Sequence, residues 1–215
     1  MTDQLPIILG VTGASGAVYT VRLLEVLLAV GRDVHLAVSP SGAAVVKQEL
    51  GFDLDLNKLT AADLSPERTP LLADRAEIAD PADKPGVLHY HHYQDFMAPI
   101  ASGSFLSGGM AICPTSGTTL SAIAAGAAGN LIQRAAEVQL KEHRKLVLVP
   151  REAPISLTHI DNMRKATEAG AVVLPAAPGW YHGVETMADL VDFVVARICD
   201  QLGVRNALIK RWGEE

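Results

Sequence analysis

The chain has 215 residues, 24 acidic against 18 basic side chains, a formal charge of −6, 49% hydrophobic residues and a mean hydropathy of +0.22. That length suits one α/β domain with a full core. The acidic balance argues against nucleic acid, whose binders carry a basic stripe, and no apolar run reaches the about 18 residues of a membrane span.

The surplus of apolar residues points to subunit interfaces, and therefore to an oligomer. The opening MTDQLPIILGV contains an acid and runs straight into a strand-like segment, so no secretory signal is expected there. Cys113 and Cys199 fit a reduced, cytoplasmic protein without a disulfide framework.

In chain order, the first strand is expected at residues 6–11, followed by a glycine turn and a helix over 18–30 with apolar residues at 18, 21, 24, 27 and 28. A second strand falls at 34–38 and leads into Ser39-Pro-Ser-Gly42. Residues 52–96 are acidic and contain proline, and they read as an excursion from the sheet ending in His89-Tyr-His-His-Tyr93. His91 and His92 would face opposite ways in an extended segment, so the histidines read as a polar loop and no metal is expected. A third strand at 110–113 precedes Pro114-Thr-Ser-Gly-Thr-Thr119 and a long helix over 120–140. A fourth at 146–149 ends in Pro150-Arg-Glu-Ala-Pro154, and a helix follows at 160–168. A fifth strand at 171–174 leads to Pro175-Ala-Ala-Pro-Gly-Trp-Tyr-His182 and a last helix over 186–202. Strands that are aliphatic on both faces and alternate with helices predict a doubly wound parallel sheet, a flavodoxin- or Rossmann-like three-layer sandwich. Such a sheet brings all five loops to one edge, where ligands bind.

The loops carry the chemistry. In Gly10-Val-Thr-Gly13-Ala-Ser15-Gly16 the glycines permit a tight turn, and the following helix offers its N-terminal amides to a phosphate. The dinucleotide pattern would need glycine at Thr12 and an acid after the second strand, so a mononucleotide such as FMN fits better. Four hydroxyls within Thr115–Thr119 exceed what capping one helix requires. Cys113 reads as a small buried strand-end residue and not as a nucleophile. Arg151 and Glu152 are charges at a strand end, costly unless paired or used. Lys141 and Arg134, seven apart on one helix, can share a face. Arg197, among Leu190, Val194 and Ile198, calls for a carboxylate or anionic partner.

Taken together, GVTGASGAVYTVRLLEVL (10–27), SGSF (102–105), ICPTSGTTLSAIA (112–124), NLIQRAAEVQLKEHRKLVLVPREAP (130–154), GAVVLPAAPGWYH (170–182), DLVDFVVARICDQLG (189–203) and RWGE (211–214) closely resemble the UbiX/Pad-type flavin prenyltransferases. The resemblance implies one flavoprotein domain over 1–215, with 52–96 as its variable part and 204–215 as a tail reaching a subunit contact. It implies a homo-oligomer, typically a dodecamer, with active sites at subunit contacts. Gly13, Ala14, Ser15, Ser39, Ser116, Gly117, Thr118, Thr119 and Arg151 would bind FMN. Tyr181 and Arg197 would hold dimethylallyl monophosphate or pyrophosphate, with Lys141 beside them and Trp212 closing the prenyl pocket. Ser15, Glu49, Lys141 and Glu152 would be the catalytic side chains. The product, prenylated FMN, would serve a UbiD-type decarboxylase. The rival cysteine-type flavin decarboxylases use a P-A-S-A-N-T-like loop with a catalytic asparagine, where this chain reads PTSGTT. A passive flavin carrier would have little use for Lys141, Glu152, Tyr181 and Arg197.

Overall fold

The computed structural model describes residues 5–213; the first four residues of the opening segment and Glu214 of the RWGE stretch lie outside the described residues. Six strands, β1 (Ile7–Val11), β2 (Val34–Val38), β3 (Leu88–His92), β4 (Gly109–Thr115), β5 (Leu146–Pro150) and β6 (Val172–Val173), run parallel in the order β3-β2-β1-β4-β5-β6. The helices are α1 (Ala17–Ala29), α2 (Pro40–Leu50), α3 (Gly117–Ala124), α4 (Leu131–Lys141), α5 (Leu157–Glu168) and α6 (Met187–Leu202).

Alternation along each strand feeds two cores. Ile7, Leu9 and Val11 pack with Leu23 and Leu27 of α1, Val46 of α2 and Val194 and Ile198 of α6. Ile8, Met110 and Ile112 pack on the other face with Leu120, Ile132 and Ala166 of α3, α4 and α5. Every residue of β1, β2 and β4 is buried, as expected of strands covered on both sides.

The structure corrects four boundaries. The expected 120–140 helix is two helices, because Gly126 turns with φ of 67° and Asn130 restarts the chain by accepting the Gln133 N–H at 3.0 Å. The Ser39 loop continues into α2, with Ser39 as N-cap, Pro40 in the first turn and Gly51 closing the helix at φ of 74°. The fifth expected strand, at 171–174, shrinks to the two residues of β6. The histidine segment is β3, an edge strand paired with β2 over Leu88–His92. Without β3 the remaining strands would have the flavodoxin order, and β3 extends it to the 3-2-1-4-5-6 order.

The segment before β3 is tied into the body. Three short 3₁₀ turns, Ala61–Leu64, Pro66–Arg68 and Pro70–Leu72, bury Leu64 and Leu72 in the α1–α6 core. Arg75 reaches Glu25 of α1 at 2.9 Å. Across the β2–β3 pair, His35 stacks on His89 and His91 with ring centroids 4.7 and 5.1 Å apart, and its Nδ1 lies 2.8 Å from His91 Nε2. One ring of that bonded pair must therefore be neutral.

Burial, helped by His91 and His89, pushes the His35 imidazole down to about 4. An unfolded histidine titrates near about 6.5, so between that pH and about 4 only the unfolded chain takes up this proton. The contribution is present above the unfolded value and is lost as pH falls through this window, by up to about 3 kcal/mol. Urea unfolding of the wild type should weaken from pH 6.5 to 4 more steeply than that of His35→Phe; parallel curves would remove this assignment.

Candidate active site

The order of the sheet places its switch point between β1 and β4, and their carboxyl ends form a crevice. Thr12, buried at the end of β1, donates its hydroxyl to the Pro114 carbonyl at 2.8 Å and accepts the Ser116 N–H at 2.8 Å. That single side chain locks the glycine loop to the loop after β4. Gly13 is required by the third loop, since a Cβ there would stand 2.6 Å from the Ser41 Cβ. Gly42 is needed for the same reason: a Cβ would fall 2.7 Å from the Val11 carbonyl oxygen. Three loops thus converge with their backbones close enough to wrap a ligand.

The amides of α1 are not free for a phosphate, contrary to the expectation from the glycine turn. Glu49, near the end of α2, accepts the Gly16 N–H at 3.0 Å and the Ala17 N–H at 2.8 Å. The cause is local: the N-cap is Gly16, in the left-handed region with no side chain to offer, and the positive helix end takes its anion from elsewhere. At α2 and α3 the first turns are capped by Ser39, accepting from Gly42 at 3.0 Å, and by Ser116, accepting from Thr119 at 3.2 Å. Among the described residues the N–H groups of Ser41, Gly117 and Thr118 and the hydroxyls of Ser15 and Thr118 have no hydrogen-bond partner. With a glycine at 13 that excludes a side chain, this set suits a mononucleotide such as FMN: donors for phosphate and ribityl oxygens, and room for close approach.

After β5, Arg151 and Glu152 are exposed at the same edge. Burial pushes the Tyr19 phenol on α1 up, with Arg151 pulling against it and Glu49 adding to it, so Tyr19 faces the same charges. His159 of α5 stands 3.5 Å from Glu152, and a Cβ on Gly117 would fall 2.5 Å from its Nε2. Both Glu152 and His159 line a largely apolar cavity of about 300 Å³ with Leu120, Ile155 and Met163. Tyr19 and His159 were not singled out from the sequence. Tyr19 lies inside the glycine-loop stretch, and His159 at the start of a helical run gives no sign of facing Glu152. Cys113 is fully buried and its thiol is pushed up by burial, while Cys199 is pushed up to about 12, as inert core thiols are.

The remaining expected residues lie elsewhere on the chain. Tyr181 meets Phe193 of α6 and Trp212 of the tail edge-on, at centroid distances of 5.7 and 5.4 Å. Arg197, on the next turn of α6, donates to Asp200 at 2.8 Å, and Arg211 forks onto the same carboxylate at 2.8 and 3.1 Å. Burial pushes Asp200 up, but the bonds from Arg211 and the charge of Arg197 hold it below the usual carboxylate range. Lys141 is at the far end of α4, paired with Glu142 and adjacent to Gly103, which precedes β4. It therefore sits at the opposite edge of the sheet from the crevice, roughly 20 Å away along a strand the length of β4. Arg134 does not share a partner with it, bonding Glu137 at 2.8 Å and the Ala101 carbonyl at 3.2 Å. One chain brings together Gly13–Ser15, Ser39, Glu49, Ser116–Thr119, Arg151 and Glu152 and leaves Lys141 apart, while Tyr181, Arg197 and Trp212 are exposed on α6, the loop after β6 and the tail.

Residues 1–199 match the family model described as Flavoprotein. The flavin prenyltransferase UbiX of Pseudomonas aeruginosa is 46% identical over 215 residues, covering 100% of this chain and 97% of that protein. A crystal structure of AnUbiX (PadA1) in complex with FMN and dimethylallyl pyrophosphate superposes with a TM-score of 0.79 at 33% identity, covering 99% of each chain. A dodecameric FMN-dependent UbiX-like decarboxylase from Escherichia coli O157:H7 gives a TM-score of 0.77 at 35% identity, covering 97% of this chain and 99% of the other.

Proposed function

This chain belongs to the flavin prenyltransferases of the UbiX type, and from that membership we propose how its own side chains bind reduced FMN and a dimethylallyl phosphate and join them. The observation that carries the reading is the crevice itself: three interlocked loops with uncommitted amides and hydroxyls beside Arg151 and Glu152.

Gly13, Ala14 and Ser15 line the flavin, Ser39 and Ser116 to Thr119 bond its polar groups, and Arg151 adds positive charge. When bound, reduced FMN supplies the nucleophilic N5 and the C6 to which the dimethylallyl group is joined. Arg197 and Lys141 stabilise charge on the departing phosphate, because fixed cations in a dry site need no reorganisation as that charge develops. Tyr181 donates its phenolic proton to the same phosphate. Trp212, against Tyr181, covers the prenyl chain and keeps water from positive charge on its allylic carbon. Glu49, Ser15 and Glu152 hold and move protons at the flavin edge.

Since one chain holds Lys141 at the far edge of the sheet, a neighbouring subunit completes the site. A homo-oligomer, up to the dodecamer of the E. coli relative, would cover apolar side chains that stand exposed here, among them Met97 at 92%, Trp212 at 83% and Leu157 at 74%. The donor is dimethylallyl monophosphate or pyrophosphate, and the product goes to a UbiD-type decarboxylase. No helix among the described residues is long and apolar enough to cross a membrane, and a cytoplasmic location follows the same reading. Asparagine is missing from PTSGTT, which sets aside the cysteine-type decarboxylases.

Anaerobic incubation with FMN, reductant and dimethylallyl monophosphate should yield extracted flavin heavier by one prenyl unit. Unmodified flavin with both the monophosphate and the pyrophosphate would overturn the reading.

A further inference from the structure

We propose that His159 is a positioning residue that fixes the Glu152 carboxylate against the Ser116–Thr119 loop, an inference that rests on the prenyltransferase reading. Ser156 is the N-cap of α5, and its hydroxyl oxygen accepts the His159 backbone N–H at 3.3 Å. The same oxygen lies 2.8 Å from His159 Nδ1. In the proposed arrangement the Ser156 hydroxyl, one lone pair taken by the helix cap, donates its proton to Nδ1. The proton of the neutral imidazole is then on Nε2.

That nitrogen has two neighbours. Glu152 Oε2 is 3.5 Å away, a contact that needs only a small approach to become a hydrogen bond. On its other side is Gly117, whose missing Cβ is the space the imidazole occupies, 2.5 Å from Nε2. Among the described residues, no other side chain pairs with Glu152, which is exposed on the loop after β5. The imidazole is itself anchored at a helix start, so it transmits the position of α5 to a carboxylate that would otherwise rotate freely. It also explains why the loop after β4 has glycine at 117: any side chain there would evict the ring that aims Glu152. Both residues border the cavity of about 300 Å³ beside Arg151, so the aim of Glu152 is toward the space between the β4 and β5 loops.

The test uses the shape of amide side chains. Glutamine places its amide nitrogen where Nε2 stands, whereas asparagine reaches only the Nδ1 position. In the anaerobic prenylation assay, His159→Gln should keep kcat within about threefold, and His159→Asn and His159→Ala should each lose about 10²-fold, the scale of a misplaced reacting group. FMN affinity and Tm should be unchanged across the series. In a Glu152→Gln background, His159→Ala should cause no further loss, because the two act as one unit. Equal rates for the Gln and Asn variants, or losses that multiply in the double variant, would reduce His159 to a packing residue. A readout without turnover separates this from failure of the functional reading: imidazole nitrogen NMR of the wild type should show His159 protonated at Nε2. An Nδ1–H tautomer overturns the inference whether or not the protein prenylates FMN, whereas an Nε2–H tautomer in a protein that makes no prenylated flavin would sink the functional reading.

Discussion

Arg197→Ala should lower the yield of prenylated FMN by at least about 10²-fold while FMN stays bound, the loss expected when a donor to a developing oxyanion is removed. The separation of the two effects comes from placement. Arg197 is on α6 beside the Tyr181–Trp212 pair, and no contact links it to the glycine loop among the described residues. The variant should also fold. Arg197 is half exposed, its pair with Asp200 is a surface pair, and Asp200 keeps both Arg211 bonds and the Asn206 amide at 3.2 Å when Arg197 is gone. Exposed pairs of this sort contribute about 0 to 1 kcal/mol, so Tm should hardly move. Asp200 adds a second consequence: in the free chain the Arg197 charge is already partnered, so a donor phosphate must share or displace that carboxylate. Flavin mass analysis beside FMN fluorescence titration reads both arms. Undiminished turnover removes Arg197 from phosphate binding, and loss of FMN together with activity would place it in the flavin site instead.

What the sequence made legible follows from what each residue answers to. The strands at β1, β2, β4 and β5 could be read because both their faces are buried, which leaves little but aliphatic residues to see. β3 could not, since it is an edge strand whose His89, Tyr90, His91 and His92 leave no aliphatic run, with only Leu88 and Tyr90 reaching the core. α2 was hidden because it buries little beyond Gly42 and Val46, although Ser39-Pro40 and Gly51 mark its two ends. The glycine loop was legible at the level of chemistry, because a Cβ on Gly13 would meet Ser41 and one on Gly42 would meet the Val11 carbonyl where the loops converge. The carboxylate that takes the α1 amides was not. Glu49 reaches the α1 amides from 32 and 33 positions away, and nothing local in either segment records that contact. Lys141 is a neighbour of the crevice only by resemblance, since one chain holds it beside Glu142 and Gly103 at the other edge of the sheet.

Asp192→Ala should cost about 3–5 kcal/mol of stability, the range for breaking a buried ion pair from one side. Asp192 on α6 and Arg22 on α1 are each 1% exposed, joined at 2.6 Å through Nε and at 3.2 Å through the second guanidinium nitrogen. Burial pushes the Asp192 carboxyl up against the bonds from Arg22 that hold it down, so neither partner is tolerable inside without the other. The cost spreads beyond the pair. Asp192 also accepts the Ala76 N–H at 3.1 Å, and Arg22 donates to the Ala76 carbonyl at 2.6 Å, so the segment leading to β3 is pinned to both helices at this point. Glu25, 2.7 Å from Arg22, remains as a partner in the variant and keeps the cost from exceeding the range. Replacing both residues by well-packed apolar ones, as in Arg22→Met with Asp192→Leu, should cost less than Asp192→Ala alone, since no charge is then stranded. Urea unfolding of the three proteins checks the order, and amide exchange at Ala76 should rise sharply in Asp192→Ala. Since α6 also carries Arg197, activity should fall with the folded fraction in this variant and recover at low temperature, unlike the loss in Arg197→Ala. A stability change under 1 kcal/mol would mean that the pair is dispensable and that apolar packing alone holds α1 to α6.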